Sequence, residues 1–308
     1  MRVTDSVGAL EAHLNVQWLR PESALWDAIA SSVVSQAEFL SPTLEVGCGN
    51  GVFSFITAGG RFGPEYDGYR NADPRRSGEG EDLYDQFAAG PDPAWVTQRP
   101  DDLIDCAVDA KSNLLQQAQA LAFYRTTVRA DANLGLPFED KAFQTVFSNM
   151  LYWLDSAAFA LREVRRVLRP SGRAWLCLPD HSFRDTCISY RWREERSEFL
   201  RLLNRGRSDS IHWAISISEL TALAGQIGLR LVSHAAYLSP VTLRAWDIGL
   251  RPLAPALIRM VQHFTEAERL SMKLEWMDIL RPLLNELYEL DRRSEAPGGF
   301  HFTCLERV

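Results

Sequence analysis

An α/β fold built on a mostly parallel sheet is predicted for this 308-residue chain. Two observations predict it. Short apolar runs alternate with amphipathic helical stretches between Leu44 and Pro179. That is the pattern of a sheet whose parallel strands are joined by crossover helices on both faces. The first apolar run, "TLEV", leads into glycine at every second position, Gly47, Gly49 and Gly51. Such a turn lets bare backbone approach a ligand, because glycine has no side chain and tolerates positive φ. The length suits one large domain or a domain with an appended lobe. Residues 1–40 read as an N-terminal helical segment and 41–180 as the ligand-binding core, with an insertion at about 59–102. Residues 181–308 complete the sheet and carry an inserted helical lobe.

The elements follow in order. Pro21 to about Leu40 reads as a helix: Pro21 suits the first turn, Glu22 the positive end, and Leu25, Ile29 and Val33 share a face. "TLEVG" is a buried strand, and Val52 to Ala58 a short helix. From Gly59 to Asp102 the chain turns rich in Gly, Pro, Asp and Arg with little periodicity, a length that suggests a functional cover or a partly disordered stretch. Strands are predicted at Leu103–Asp109, Thr126–Asp131, Gln144–Asn149 and Arg173–Pro179, with helices at "SNLLQQAQALAFY" and "SAAFALREVRRVL", the latter capped by Ser156. Phe183–Arg205 and Ser218–Ile227 are helical candidates, Leu229–Leu238 a strand, Ser239–Arg293 a multi-segment helical lobe, and Gly299–Val308 a final strand.

Composition narrows the function. The net charge of -7 argues against a protein that wraps nucleic acid, and the basic stretch Arg162–Arg173 reads as a solvated helix face and loop. The five cysteines, Cys48, Cys106, Cys177, Cys187 and Cys304, form no CxxC pair or Cys/His cluster, so no metal site and no disulfide framework is expected. The first residues lack a secretory pattern, and no run approaches the length of a membrane span. A soluble cytoplasmic protein is expected.

The glycine turn has several candidate ligands. A dinucleotide fingerprint would place a third glycine where Val52 stands, and the Gly-Lys-Ser/Thr ending of a phosphate loop is absent. A nicotinamide oxidoreductase is therefore disfavoured. Three acids stand at three successive strand ends: Glu45, Asp109 and Asp131. In open parallel sheets ligands bind at those ends. The acids suit an amine, a ribose and an adenine, all of which S-adenosylmethionine has. Sixty-two positions separate Gly47 from Asp109, against roughly twenty in the simple fingerprint, so Asp105 competes for the ribose role. Asp109 is preferred because it lies at a strand-to-helix junction.

"LEVGCGNG", "DCAVDAKSNLLQQAQ", "ADANLGLPFEDKAFQTVFSNMLYWL" and "LREVRRVLRPSGRAWLCLP" together resemble the successive motifs of class I S-adenosylmethionine-dependent methyltransferases of the small-molecule, type 11-like kind. The resemblance covers Leu44 to about Pro179. It implies a Rossmann-like seven-stranded sheet with an antiparallel last strand. It also implies S-adenosylmethionine as cofactor, with Gly47, Cys48, Gly49 and Gly51 along its methionine and ribose, and Glu45 near its amino group. Asp109 and Ala110 would hold the ribose, Asp131 and Ala132 the adenine, and Asn149 would offer a backbone contact; Lys111 and Ser112 flank the ribose acid. The glutamate at position 45, where aspartate is common, is a mild departure.

On the acceptor side, His181 follows the fifth strand and His212 precedes the lobe; either could serve as a base for a proton of high pKa. Each is also readable as a surface or capping histidine. Tyr152 and Trp153 could wall the acceptor or pack in the core. Tyr66, Tyr69, Tyr84 and Phe87 suggest a lid over bound ligand or a satellite cluster beneath the loop. Trp246, Arg251 and Trp276 read as lobe packing. The expected activity is methyl transfer to an O, N or C atom of a small molecule, of natural-product or sugar-like kind, in a biosynthetic role. The alternative keeps the cofactor but catalyses a non-methylating reaction such as cyclisation. No nucleic-acid partner is expected, and a homodimer is allowed.

Overall fold

The computed structural model describes residues 6–73, 86, 93–191 and 211–308. Two helices come first, α1 (Ser6–Val16) and α2 (Pro21–Val34). Pro21 opens α2 as expected, but the helix stops at Val34 rather than near Leu40, and α1 lies within the segment read as helical, where the sequence reading does not single it out as a helix of its own. The sheet-forming strands are β1 (Thr43–Val46), β4 (Ile104–Asp109), β5 (Tyr124–Arg129), β6 (Phe143–Ser148), β7 (Leu168–Pro179), β8 (Leu229–Tyr237) and β9 (Phe300–Arg307). A separate two-stranded ribbon, β2 (Arg61–Phe62) with β3 (Val96–Gln98), sits within the insertion.

The seven-stranded sheet runs β5-β4-β1-β6-β7-β9-β8. β9 is antiparallel to β7 and β8, and the pairs among β1, β4, β5, β6 and β7 are parallel. The predicted mostly parallel sheet and antiparallel last strand are present. The order reverses at β1, whose neighbours are β4 on one side and β6 on the other, so the strand ends part above β1. This is the topological switch at which open α/β sheets bind ligands.

Crossover helices α3 (Val52–Thr57), α4 (Ser112–Ala120) and α5 (Ala157–Val167) cover the parallel part. Ser156 caps α5 by accepting from the Phe159 amide. Beyond β7 come α6 (His181–Thr186), α7 (Ile188–Arg191) and α8 (Ile217–Gln226), the last closed by a Ser216–Glu219 capping box. The helix predicted over Phe183–Arg205 is thus two short helices as far as Arg191, and its remainder lies outside the described residues.

The lobe between β8 and β9 comprises α9 (Pro240–Arg244), a π-helical turn (Ala245–Leu250), α10 (Ala254–Met260) and α11 (Glu266–Arg292). It packs with α1 and α2. Trp26 of α2 lies 5.0 Å from Trp246, and meets Phe183 and Phe300 edge-on at 6.0 and 4.9 Å between ring centroids. Arg251 stacks over Trp246 at 4.7 Å and pairs with buried Asp247, which also accepts from the Ser189 amide and hydroxyl. Trp246 and Arg251 therefore pack the lobe, as read from the sequence.

Candidate cofactor site

The site grows from the glycine turn that follows β1. Gly47, Gly49 and Gly51 all take positive φ, at 73°, 54° and 75°. A Cβ at Gly47 would stand 2.1 Å from the Met150 sulfur, and one at Gly51 would stand 2.7 Å from the Tyr124 ring. The turn is stitched to the next strand: the Gly47 amide donates to the Val108 carbonyl at 2.7 Å.

Asp109, the last residue of β4, holds the turn from the other side. Its Oδ2 accepts from the Gly49 amide at 2.8 Å and its Oδ1 from the Lys111 amide at 2.9 Å. Each carboxylate oxygen has a second lone pair to offer. The acid is thus aimed while it keeps acceptor capacity for a diol. Asp131 caps a short 3-10 turn, Ala132–Leu134, by accepting from the Asn133 amide at 2.9 Å.

These groups line a cleft of about 390 Å³ at the carboxyl ends of β1, β4, β5 and β6. Its walls include Gly47, Cys48, Gly49, Asp109, Ala110, Asp131, Ala132 and Asn149, so the structure brings most of the expected cofactor residues to one surface. Lys111 lines it and Ser112 does not. Apolar side chains complete the wall: Leu114, Met150, Trp153 and Leu154. Sequence reasoning passed over Leu114, Met150 and Leu154, whose signal was only their place directly after a strand end. Burial pushes the Cys48 thiol far up, so it lines the cleft as a neutral apolar group. The volume and mixed lining fit a nucleoside carrying a short polar chain.

Two acids are placed differently from the sequence expectation. Glu45 is 2% exposed and sits beneath the turn rather than in the cleft. Its oxygens accept from the Ser54 hydroxyl at 2.7 Å and the Tyr124 hydroxyl at 3.0 Å. Burial outweighs these bonds and raises its pKa to about 7. Glu45 thus supports the turn from beneath, bonded to Ser54 and Tyr124, and does not line the cleft. Asp105 lies at the opposite end of β4. Its carboxylate accepts from Ser41 and from the Thr43 amide and hydroxyl, and pairs with Arg125 at 3.2 Å. Against the cost of burial, those bonds and that charge hold it below the usual carboxylate range. It fastens strand starts together and is no rival to Asp109.

The proposed bases are also displaced. His181 opens α6 on the surface, its Nε2 2.7 Å from Glu219 of α8. It is a surface pairing residue, not part of the cleft. His212 stands 3.1 Å from Asp155, and its amide donates to the Tyr152 carbonyl at 3.1 Å. Tyr152 is buried at 6% with its ring edge-on to Phe300, so packing accounts for it. Tyr66 and Tyr69 are buried too, Tyr66 against Phe62 at 4.5 Å, which makes them a cluster under the insertion rather than an open lid. Tyr84 and Phe87 lie outside the described residues. Among the described residues no group of three or more His, Cys, Asp or Glu could hold a metal ion, and no helix is long and apolar enough to cross a membrane.

Comparison with known proteins points the same way as the cleft. A model described as a methyltransferase domain matches residues 99–176. A malonyl-[acyl-carrier protein] O-methyltransferase from Erwinia pyrifoliae is 29% identical over 147 residues, 46% of this chain and 46% of that protein. The chain thus spans about half the length of the curated relative it matches. Among solved structures, an S-adenosylmethionine-dependent methyltransferase from Mesorhizobium loti superposes with a TM-score of 0.46 at 15% identity, over 90% of this chain and 98% of that one. The [4+2]-cyclase SpnF superposes with a TM-score of 0.45 at 12% identity, over 93% and 82%. The matched domain model and the sheet order agree: residues 99–176 are similar to a methyltransferase domain, set in a Rossmann-like sheet with an antiparallel last strand.

Proposed function

We propose that this protein transfers a methyl group from S-adenosylmethionine to an oxygen, nitrogen or carbon of a small-molecule acceptor, of natural-product or sugar-like kind. The observation that carries this reading is the double clasp of Asp109 by the Gly49 and Lys111 amides on the cleft floor. It ties the methionine-side turn to the ribose-side acid in one rigid unit. S-adenosylmethionine, when bound, supplies a methyl carbon activated by the neighbouring sulfonium charge. The residues here then have two tasks, alignment and exclusion of water. The glycine turn and Asp109 would align the amino-acid chain and the ribose, and Asp131 with the Ala132 backbone would orient the adenine. Leu114, Met150 and Leu154 would keep the centre dry.

The test has two stages. Calorimetry should detect saturable binding of S-adenosylhomocysteine; none would overturn the reading. Incubation of the protein and S-adenosylmethionine with small-molecule extracts should then yield a product heavier by one methylene equivalent. An acceptor changed in structure at unchanged mass would favour cyclisation instead.

A further inference from the structure

A second cavity, of about 170 Å³, shares Asn50 of the glycine turn with the cofactor cleft. No sequence motif pointed to it. Its walls come from segments that meet only in the folded chain: His13 of α1, Gln17 just after it, Asp27 of α2, Phe53 of α3, and Tyr66 and Tyr69 of the insertion.

Its lining carries one acid and no lysine or arginine. His13 is fully enclosed; burial, with the charge of Arg61 adding to it, lowers its pKa to about 3, so the ring is neutral near pH 7. Its Nε2 is engaged with the Ser31 hydroxyl at 2.7 Å, which continues to Thr57 at 2.6 Å. Burial pushes the Tyr66 hydroxyl up, so it too stays neutral. Asp27 is the remaining charge. The Gln17 side chain hydrogen-bonds it, and the Gln17 carbonyl oxygen accepts from the Tyr69 hydroxyl. That relay orients the amide so that its N–H₂ faces the carboxylate. Burial raises Asp27 to about 7 against the pull of Arg20 and the Gln17 bond, while Glu22 adds to the rise. Arg20 and Glu22 pair with each other at 3.1 Å, and Tyr237 of β8 also feels the Asp27 charge.

A carboxylate set among aromatic side chains, with no competing cation in the lining, is the chemistry that recognises an ammonium group. A carboxylate-bearing ligand would meet repulsion there. We propose that this cavity is the subsite for a small ammonium head on the methyl acceptor, with Asp27 as its counter-ion and Phe53, Tyr66 and Tyr69 as its aromatic wall. The proposal rests on the methyltransferase reading above and narrows its acceptor to an amine.

The test titrates tetramethylammonium chloride, with tert-butyl alcohol as uncharged control, into the full chain by calorimetry, with and without S-adenosylhomocysteine. Saturable binding of the cation alone is expected. Asp27→Asn should weaken it at least tenfold and leave S-adenosylhomocysteine affinity unchanged. Tyr69→Phe, which frees Gln17 without removing charge, should weaken it a few-fold. In the wild type the cation affinity should fall several-fold from pH 8 to pH 6 as Asp27 takes up a proton; this arm decides the matter even if Asp27→Asn fails to fold. No saturable cation binding, or equal binding of the alcohol, would overturn the proposal. So would an Asp27→Asn variant that binds S-adenosylhomocysteine more weakly but 5′-methylthioadenosine as before, because the cavity would then hold the cofactor's own amine. Failure of S-adenosylhomocysteine to bind the wild type would sink the methyltransferase reading separately, since the cation is also titrated without it.

Discussion

The cofactor cleft and the α1–α2–lobe layer are built in opposite ways. Each wall of the cleft comes from the few residues after one strand: Gly47–Asn50 after β1, Ala110–Lys111 after β4, Ala130–Asn133 after β5, Asn149–Met150 after β6. The layer is held by contacts between distant segments. Arg269 of α11 pairs with Asp67 at 2.6 Å, and the Lys273 ammonium donates to the carbonyls of Pro64 and Tyr66 at 2.8 and 2.7 Å. Arg281 pairs with Glu11 of α1. A binding function can be written into short local motifs when a sheet brings strand ends together. The other cavity is closed by α1, α2, α3 and the insertion together.

That contrast can be broken or sharpened by experiment. Trp246→Ala should have the largest effect. It removes a 2%-exposed indole from the contact with Trp26 and Phe183, at a cost of about 3–5 kcal/mol in denaturant unfolding. S-adenosylhomocysteine affinity of the folded fraction should stay at the wild-type value; a lost affinity would show that the layer and the cleft are not independent.

Glu45→Gln tests the support under the turn. The carboxyl is raised from 4.5 to about 7 in the folded state, so the folded chain binds more protons across that window. Its contribution to stability is therefore full below pH 4.5 and is lost as pH rises toward 7. Relative to Glu45→Gln, the wild type should lose about 3 kcal/mol between those limits, read as the difference between their denaturation curves. Parallel pH profiles for the two proteins would place Glu45 in contact with water after all.

Gly49→Arg should reduce S-adenosylhomocysteine affinity at least a hundredfold, about 2.7 kcal/mol, because position 49 has positive φ and a side chain there would project into the cleft. Unchanged affinity in calorimetry would remove the turn from the site. The smallest effect is expected for His181→Ala, which breaks only an exposed pair with Glu219. Melting should shift by less than about 2 °C, and cofactor affinity should not change; a large loss of activity would restore His181 as a base.

Much of the cleft was legible because its signals are local. The first strand and its glycine turn lie within a few residues of one another, each later acid stands at or just past the end of its own strand, and periodicity marks where each strand stops. Asp109 could be preferred over Asp105 on that ground, and the structure puts Asp105 at the far end of β4. Glu45 was misread for the opposite reason. Its place before the glycines suggested a ligand contact, but its surroundings depend on Tyr124 and Ser54, which no local pattern ties to it. His181 was drawn toward the site by its place after β7, although its partner is on α8.

By itself the sequence determined the alternation of strands and helices, the glycine turn and the acids at strand ends, because each depends on backbone preferences and side-chain periods over a few residues. Only the tertiary structure decided which acids face the cleft and which are buried or turned away. It alone joined α1 and α2 to the lobe and enclosed Asp27 among aromatic residues. The physical reason is that burial and electrostatic environment depend on packing between segments as far as 270 positions apart, as with Glu11 and Arg281.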